Sequence, residues 1–325
     1  MSYNSFNDAC RAEWEGTETE HTAEDIDEEL LLSCCMNGFN NGRRLTRYKD
    51  KLSALSELKL LVNGHLTNAG HYLLSKSRPV TMDLAIYATD ERVTALCRRQ
   101  FRGNIIECID EAQLFVKKNM RWRQDTKEYA ATGIRSDVPE VPLDVLNEAV
   151  VNSFCHADYC ETSAVHEINI FPGMIEITNP GSLMPGVSLK EYVNGNGRAV
   201  ARNPAIQNFL CQSCIADGFG VGFRRIDSAC NKKGIRYAYD GGGNRFTLIF
   251  FREPLPSQGE TPVMNDIEYL VYSLLKRNGS MTAEEIAQQI DRDIRTVFRK
   301  LSVLKEKEMI ERRGAGKRDG WNILR

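Results

Sequence analysis

Residues 143–157, with the sequence LDVLNEAVVNSFCHA, constrain the fold most strongly because they carry two opposite faces at helical spacing. The apolar face repeats every three or four positions, as a face buried in a core does: Leu143, Leu146, Val150, Phe154. The polar face repeats every fourth position: Glu148, Asn152, His156. At about 3.6 residues per turn, Val150 and Asn152 point roughly 200° apart. The pattern therefore predicts a helix over residues 142–157, and by spacing alone its polar face is a solvated surface.

The elements that follow this helix predict an α+β fold. Two strands, HEINIFP and MIEIT, are joined by a Pro-Gly turn and lead into a long loop rich in glycine and asparagine. The helix AIQNFLCQSC comes next, then a glycine-rich turn, GFGVGFRR, that opens another helix. The strands IRYAYD and RFTLIFF close the unit. This order indicates a two-layer sandwich of a mostly antiparallel sheet with helices on one face, over residues 138–252.

The rest of the chain divides at changes of composition. Residues 1–22 are polar and acidic, which predicts a flexible leader. Residues 23–137 predict a helical and α/β portion that packs on the unit at 138–252. Residues 253–263 are polar and proline-bearing, as linkers are. Residues 264–325 predict a winged helix-turn-helix, with three helices and a β-hairpin. Thr282 and Glu285 have the spacing of a capping box at the second helix.

Composition excludes several classes of protein. With 42% hydrophobic and 26% charged residues, the chain is globular rather than disordered. It has no apolar run of about 20 residues and no signal peptide, so we expect no membrane partner and a cytoplasmic location. The ten cysteines are then expected to be reduced. Zinc at the lone CQSC motif with Cys155, His156 and Cys160 is the less favoured alternative, because no knuckle-like turn surrounds either cysteine pair.

The residue types on the polar helix face suit a nucleotide site. An asparagine amide oxygen, here that of Asn152, is a neutral hard ligand for Mg²⁺, and Glu148 one turn earlier could orient or deprotonate a water. Downstream, glycines at the start of a helix let backbone amides approach phosphate oxygens: Gly218, Gly220, Gly222. Each signal is weak alone, since glycine-rich turns before helices are common. Their order along the chain favours a nucleotide site over a plain solvent face.

The run EAVVNSFCHADY resembles the ExxxNxxxH motif of the GHKL ATP-binding fold, which gyrase, Hsp90-type proteins, histidine kinases and MutL share. With IEITNPGSLMPG, ARNPAIQNFL and GFGVGFRRI, it is similar to the divergent GHKL-like domain of RecG-like, Schlafen AlbA-associated regulators. The resemblance covers about residues 20–325. That family normally begins with an AlbA-like nucleic-acid-binding domain, so we expect this domain to be missing, encoded separately or lost by truncation. No GxxxxGK[ST] motif is present, so a P-loop helicase is not expected.

The resemblance also implies roles for individual residues. It makes Asn152 the Mg²⁺ ligand and Glu148 the catalytic base. It implies that further residues bind ATP: His156, Asp158, Asn179, Gly181, Arg202, Gly218, Gly220, Gly222. Two positions depart from the pattern: Ala157 stands where the family has arginine in HRDY, and Leu183 replaces the second glycine of DxGxG. Asn179 stands where relatives carry an adenine-reading aspartate. These departures weaken the case for hydrolysis more than the case for binding.

The C-terminal residues carry the second candidate site. Residues 265–325 hold thirteen Lys and Arg against ten Asp and Glu, whereas residues 1–30 hold ten acidic residues and one Arg. In the third helix four residues are expected in a DNA major groove: Arg295, Thr296, Arg299, Lys300. Four in the wing are expected on phosphates: Arg312, Arg313, Lys317, Arg318. A winged helix used for protein contacts or dimerisation is the alternative.

Together these observations predict a regulator that binds double-stranded DNA and responds to ATP and Mg²⁺. Nucleotide binding would order the lid at residues 180–203 and pass the change to the winged helix. A slow ATPase in DNA repair or phage defence, and a degenerate scaffold that has lost the nucleotide, are the alternatives. Winged-helix regulators are often homodimers, so a dimer is compatible with this class.

Overall fold

The structure is a computed structural model, and it describes residues 14–44, 47–124, 137–161, 164–184, 186–194, 200–217, 222–253, 266–314 and 320–324. Its helices are α1 (Glu28–Asn40), α2 (Lys51–Glu57), α3 (Asn68–Leu74), α4 (Ile105–Asn119), α5 (Leu143–Cys155), α6 (Leu189–Val193), α7 (Pro204–Gln212), α8 (Gly222–Lys233), α9 (Asp266–Arg277), α10 (Ala283–Gln289) and α11 (Ile294–Glu306). A short 3-10 helix spans Trp14–Gly16.

The strands are β1 (Glu18–Thr22), β2 (Leu61–Val62), β3 (His65–Thr67), β4 (Val80–Tyr87), β5 (Ala95–Gly103), β6 (Trp122–Gln124), β7 (Asp137–Pro139), β8 (His166–Ile170), β9 (Met174–Pro180), β10 (Tyr237–Asp240), β11 (Arg245–Phe251), β12 (Ile310–Arg312) and β13 (Trp321–Ile323). The main sheet has the order β10-β11-β9-β8-β4-β5. Within it β4 and β8 are parallel, and the other neighbours are antiparallel. The predicted α+β class with a largely antiparallel sheet is confirmed.

One face of the main sheet is covered by helices. α4 packs on β4, β5 and β8, and α5 packs on β9 with α8 beside it. The apolar face of α5 is buried as its spacing predicted, with Val150 fully buried and Phe154 1% exposed. The helix begins after Pro142, one residue into the predicted range, and ends at Cys155. The core on this side is continuous from Ala23 to Phe250.

This continuous core differs from the predicted division at residue 138. Strands β4 and β5, from residues 80–103, form the end of the same sheet that β8 to β11 build. The predicted portion at 23–137 and the predicted domain at 138–252 are therefore one unit in the structure. Proline-bearing composition near residue 140 marked a turn into α5, whereas the pairing of β4 with β8 is set by contacts far apart in sequence.

The flexible leader predicted for residues 1–22 is wrong for residues 14–22. The 3-10 helix and β1 lie there, and β1 pairs with β3. Trp14 stacks on Tyr159 with ring centroids 5.3 Å apart and meets Tyr72 edge-on. These aromatic contacts outweigh the acidic composition on which the prediction depended. Residues 1–13 lie outside the described residues.

The C-terminal unit contains α9, α10, α11 and the β12–β13 hairpin around its own apolar core. Thr282 and Glu285 form the predicted capping box, with both hydrogen bonds present. The unit lies on the other face of the main sheet, where Tyr269 of α9 packs against Phe251 of β11. The linker predicted at 253–263 lies, except for Glu253, outside the described residues. No helix in the described ranges is both long and apolar enough to cross a bilayer.

Candidate functional site

The polar face of α5 forms one wall of a cavity of about 260 Å³. Glu148, Asn152 and His156 all line it, so the fourfold spacing does bring the three side chains to one site. Asn152 Nδ2 donates to Glu148 Oε1 at 3.1 Å. Burial is the main cause that raises the pKa of Glu148, and the hydrogen bond from Asn152 partly opposes it. A carboxyl group held this way takes up a proton more readily than one in water.

The floor of the cavity is the main sheet. β9 contributes Ile177 and Asn179, and β11 contributes Phe246 and Leu248. Asn179 is 2% exposed, and its Nδ2 donates to Pro180 O at 2.9 Å. Within the described part of the chain its Oδ1 accepts no hydrogen bond. The floor is thus apolar, with one amide oxygen that could accept from a ligand.

Helix α8 begins directly against the polar wall. A Cβ atom built on Gly222 would overlap Glu148 Oε1 and would lie 2.8 Å from Asn152 Nδ2. Any side chain here would displace the two residues that sequence analysis placed at the centre of the site. The start of α8 carries unpaired backbone N–H groups and a positive dipole end, which suit an anion. Gly218 and Gly220 lie outside the described residues.

A buried ion pair supports the rim of the cavity. Arg202 Nη1 lies 3.3 Å from Asp158 Oδ2, and Arg202 Nη2 donates to Ser182 O at 2.5 Å. Gly181 has φ +86°, and a Cβ atom there would overlap Arg202 Nη1 and lie 2.5 Å from Asp158 Cβ. Gly181 and Arg202 line the cavity, whereas Asp158 stands behind Arg202. Asp158, which was predicted to bind ATP, is therefore a partner of Arg202 and does not itself line the cavity.

His156 lies between α5 and this rim. Burial lowers the pKa of His156 to about 4, and the nearby positive charge of Arg202 adds to this effect. Its backbone N–H donates to Asn152 O as the last bond of α5. At neutral pH the imidazole is uncharged, so it can donate one hydrogen bond and accept another, but it offers no positive charge to a phosphate.

Helix α6 covers the cavity and lies within the predicted lid at residues 180–203, although none of its own residues was predicted to be a site residue. Leu189 and Tyr192 of α6 line the cavity. Arg224 of α8 donates through Nε to Tyr192 O at 2.8 Å, and its guanidinium lies 4.8 Å from the centre of the Tyr192 ring. The signal was present as the spacing of Ser188 and Glu191, and the Ser188 side chain does accept from Glu191 N.

Two arginines hold the residue that precedes the glycine-rich segment. Asp217 lines the cavity, and its carboxylate pairs with Arg43 at 3.6 Å and with Arg225. Arg43 also donates to Asp217 O at 3.0 Å. Arg43 follows α1, some 174 residues away in sequence. No local pattern could have indicated this contact, because each partner is an ordinary surface residue by sequence.

The cysteines and acidic residues give no metal cluster in the part of the chain that the structure describes, where no three His, Cys, Asp or Glu residues converge. Cys155 is buried and Cys160 is exposed, and Cys211 and Cys214 are partly buried. Asn152 and Glu148 both line the cavity, and their oxygens could contribute to holding a hard cation together with ligand or water oxygens.

Most described residues of the second candidate site are exposed. Arg295 and Arg299 are exposed on α11, and Arg312 and Arg313 are exposed on the hairpin, while Thr296 is half-buried. Lys317 and Arg318 lie outside the described residues. Lys300 differs from its predicted role, because its Nζ lies 2.9 Å from Glu268 Oε1. Glu268 is 3% exposed and also binds Lys307, so Lys300 balances a buried charge instead of facing solvent.

Residues 163–250 match a family model described as "Putative ATP-dependent DNA helicase recG C-terminal". The matched range contains Asn179, Gly181, Arg202 and Gly222 and starts after α5. It supports a RecG-like, GHKL-type family and an ATPase-like domain. The structure is similar to the crystal structure of the DIP2311 protein from Corynebacterium diphtheriae, with a TM-score of 0.61 and 16% identity. The match covers 98% of this chain and 66% of that one, and it concerns the fold alone. No curated protein matches the chain.

Proposed function

We propose that this protein binds ATP with Mg²⁺ in the cavity and that occupancy of the cavity controls DNA binding by the C-terminal unit as a winged helix. The observation that supports the proposal most strongly is that residues from separate parts of the sequence line the same cavity. Residues far apart in sequence, on α5, β9, the 181–202 segment and α8, face one cavity, and they are those the GHKL resemblance implies: Glu148, Asn152, His156, Asn179, Gly181, Arg202, Gly222. The ATPase-like family match within 163–250 supports the same ligand.

The residues present fit a magnesium nucleotide. Asn152 uses its Nδ2 to bind Glu148, which leaves the amide oxygen to accept a hard cation. Gly222 lets the start of α8 approach these two side chains closely, which brings backbone N–H groups beside the position that a phosphate would take. The apolar floor suits a purine ring, and Asn179 Oδ1 suits an amino group at its edge. The cation, when bound, would neutralise phosphate charge next to Asn152.

A slow ATPase is the second candidate, and the Glu148 carboxyl group supports it. Burial raises the pKa of Glu148, which brings a carboxylate nearer to the range in which a general base works well. In such a reaction Glu148 would take a proton from the attacking water, and Asn152 would hold the carboxylate in place through the 3.1 Å hydrogen bond. Glu148→Gln should then abolish phosphate release and keep nucleotide binding.

The path from the cavity to the C-terminal unit runs through α6. Tyr192 faces the cavity on one side of this helix, and Lys190 on another side pairs with Asp291 in the turn between α10 and α11. α10 also contacts β10, and Arg277 of α9 reaches Glu176 at 3.4 Å. A ligand that orders α6 would therefore bias the position of the turn that precedes α11.

The test is titration of a fluorescent ATP analogue with and without Mg²⁺. We expect saturable, Mg²⁺-dependent binding by the wild type and a loss of about tenfold or more in affinity for Asn152→Ala, since a hydrogen bond or ligand to a charged group contributes about 1.5–3 kcal/mol. Asn208→Ala, at an exposed position on α7, is the matched control and should bind as the wild type does. Absence of binding by the wild type, or equal affinity for Asn152→Ala, would contradict the proposal.

A further inference from the structure

An aromatic side chain lies in solvent on α11. Phe298 is 52% exposed, although α11 buries Val297, Leu301 and Leu304 in the core of the C-terminal unit. The helix thus has enough apolar residues for its packing without Phe298. A single exposed apolar residue is ordinary on a protein surface. Whether Phe298 has a binding role must therefore be argued from the residues around it.

Those neighbours form an exposed face of α11. Residues at spacings of three, four and seven from Arg295 share this face with it: Phe298, Arg299, Ser302. The carboxylates near the start of the helix are already engaged. Asp293 accepts from Arg295 N at 2.7 Å as the N-cap, and Asp291 pairs with Lys190. Phe298 thus lies between two exposed arginines along the chain, on a face of α11 that presents their guanidinium groups to solvent.

This combination fits the DNA major groove better than a protein surface. Phosphates border the groove on both sides and attract arginine, and the apolar group that base edges present there is the C5-methyl of a pyrimidine. A hydrophobic protein partner would instead favour an apolar patch with few charges at its centre. The two arginines therefore favour a polyanion such as DNA as the partner. The Phe298 ring favours contact with an apolar group on that partner.

We propose that α11 reads a pyrimidine C5-methyl group through Phe298, while Arg295 and Arg299 hold the flanking backbone. The inference rests on the proposed DNA-binding function and adds a specificity-determining residue to it. Thymine and 5-methylcytosine both carry this methyl group, and the experiment distinguishes them. Phe298 would act by contact with the methyl group, so its removal should change which sequences bind more than how tightly DNA binds in general.

The experiment starts with wild-type protein and a randomised duplex library, from which binding sites are selected at one fixed salt concentration. The enriched site is then synthesised with deoxyuridine in place of each thymidine, and with cytosine or 5-methylcytosine at each pyrimidine. Affinities are measured by fluorescence anisotropy for the wild type, Phe298→Ala and Leu52→Ala. Leu52 is 54% exposed on α2, so Leu52→Ala removes a similarly exposed apolar side chain elsewhere.

We expect loss of one methyl group at one position to weaken binding by the wild type about three- to fivefold, the effect of burying one methyl group. Phe298→Ala should bind both duplexes equally, and Leu52→Ala should discriminate as the wild type does. A response to thymine alone, or to 5-methylcytosine as well, identifies the base that is read.

The experiment distinguishes failure of the proposed DNA-binding function from failure of the inference about Phe298. If the wild type binds no duplex, the proposed DNA-binding function fails and the inference fails with it. If the wild type binds DNA but selects no sequence, or if Phe298→Ala keeps the methyl preference, the inference alone is overturned. A change in sedimentation of Phe298→Ala without a change in methyl preference would assign Phe298 to self-association and would also overturn it.

Discussion

Burial shifts the pKa values of several ionisable side chains of this protein in the direction that favours the uncharged form. Desolvation raises the pKa values of Glu15 and Glu148, and it lowers the pKa of His166 to about 3. The two carboxyl groups have hydrogen-bond partners that compensate in part. His166 has none within the described residues, where both ring nitrogens are buried and unpaired. It stacks on Phe154 with centroids 4.1 Å apart.

His166→Phe should therefore stabilise the protein. At pH 7.5 we expect a gain of about 1–2 kcal/mol, because an unsatisfied buried polar atom costs about 1–3 kcal/mol and the ring stack with Phe154 is kept. The folded-state pKa of His166 lies below its usual value near 6.5, so the folded state binds fewer protons than the unfolded state. The free energy of unfolding is therefore unaffected by this titration above about pH 6.5 and decreases as the pH falls from about 6.5 toward 3.

Urea unfolding at pH 7.5 and 5.5 checks this expectation. The wild type should lose stability between these values, and His166→Phe should lose up to about 1.4 kcal/mol less, since one proton over one pH unit corresponds to about 1.36 kcal/mol. Equal losses in the two proteins would show that His166 stays uncharged in the unfolded chain or is hydrated in the folded one.

At the scale of elements, α7 depends on a residue far away in sequence. Asn203 precedes the helix without a side-chain cap, and Pro204 is its first residue. Glu15 supplies the missing acceptors, because its carboxylate accepts from Ala205 N at 2.9 Å and from Ile206 N at 2.8 Å. Asn203 instead donates to Cys155 O and Ala157 O, which ties the end of α5 to the start of α7.

Glu15→Ala should destabilise the protein by about 1–2 kcal/mol, the usual cost of removing a helix cap. The measurement is the free energy of unfolding in urea with a check that the m-value is unchanged. Glu20→Ala, an exposed position on β1, is the control and should change the stability by no more than about 0.5 kcal/mol. Identical midpoints for Glu15→Ala and Glu20→Ala would show that α7 needs no cap from the N-terminal segment.

At the scale of the whole molecule, charged residues join the C-terminal unit to the main sheet. Glu176 is 1% exposed on β9 and binds Arg92 at 2.6 Å on one side and Arg277 of α9 on the other. Tyr269 donates to Gly173 O at 3.3 Å beside the same strand. A buried carboxylate between two arginines is costly to break from one side, so this contact fixes where α9 lies. Lys190 and Asp291 form a second, exposed contact.

Lys190→Ala should uncouple the two sites without unfolding the protein. Exposed ion pairs contribute about 0–1 kcal/mol, so the melting temperature should barely change. The ratio of DNA affinities with and without a non-hydrolysable ATP analogue should move toward one, because α6 would no longer contact the turn before α11. Lys232→Ala, an exposed position on α8, should keep the wild-type ratio. An unchanged ratio in Lys190→Ala would exclude this contact as the path of coupling.

The sequence by itself determined what depends on neighbours along the chain. The spacing on α5 predicted both the buried face with Val150 and the shared face of Glu148 and Asn152. The Thr282 capping box and the presence of strands β8 to β11 along the chain were equally local. Such features are predictable because helix periodicity and hydrogen bonds between neighbouring residues need no information from the rest of the fold.

Only the tertiary structure decided what depends on distant partners. It placed β4 and β5 in the same sheet as β8, made Glu15 a cap for α7, and turned Lys300 toward the buried Glu268. It also placed Tyr192 of α6 at the cavity and Lys190 of the same helix beside Asp291. Each of these contacts joins residues at least 32 positions apart, as Lys300 and Glu268 are. Local spacing carries no record of such pairs, because burial and charge compensation arise only when the whole chain packs.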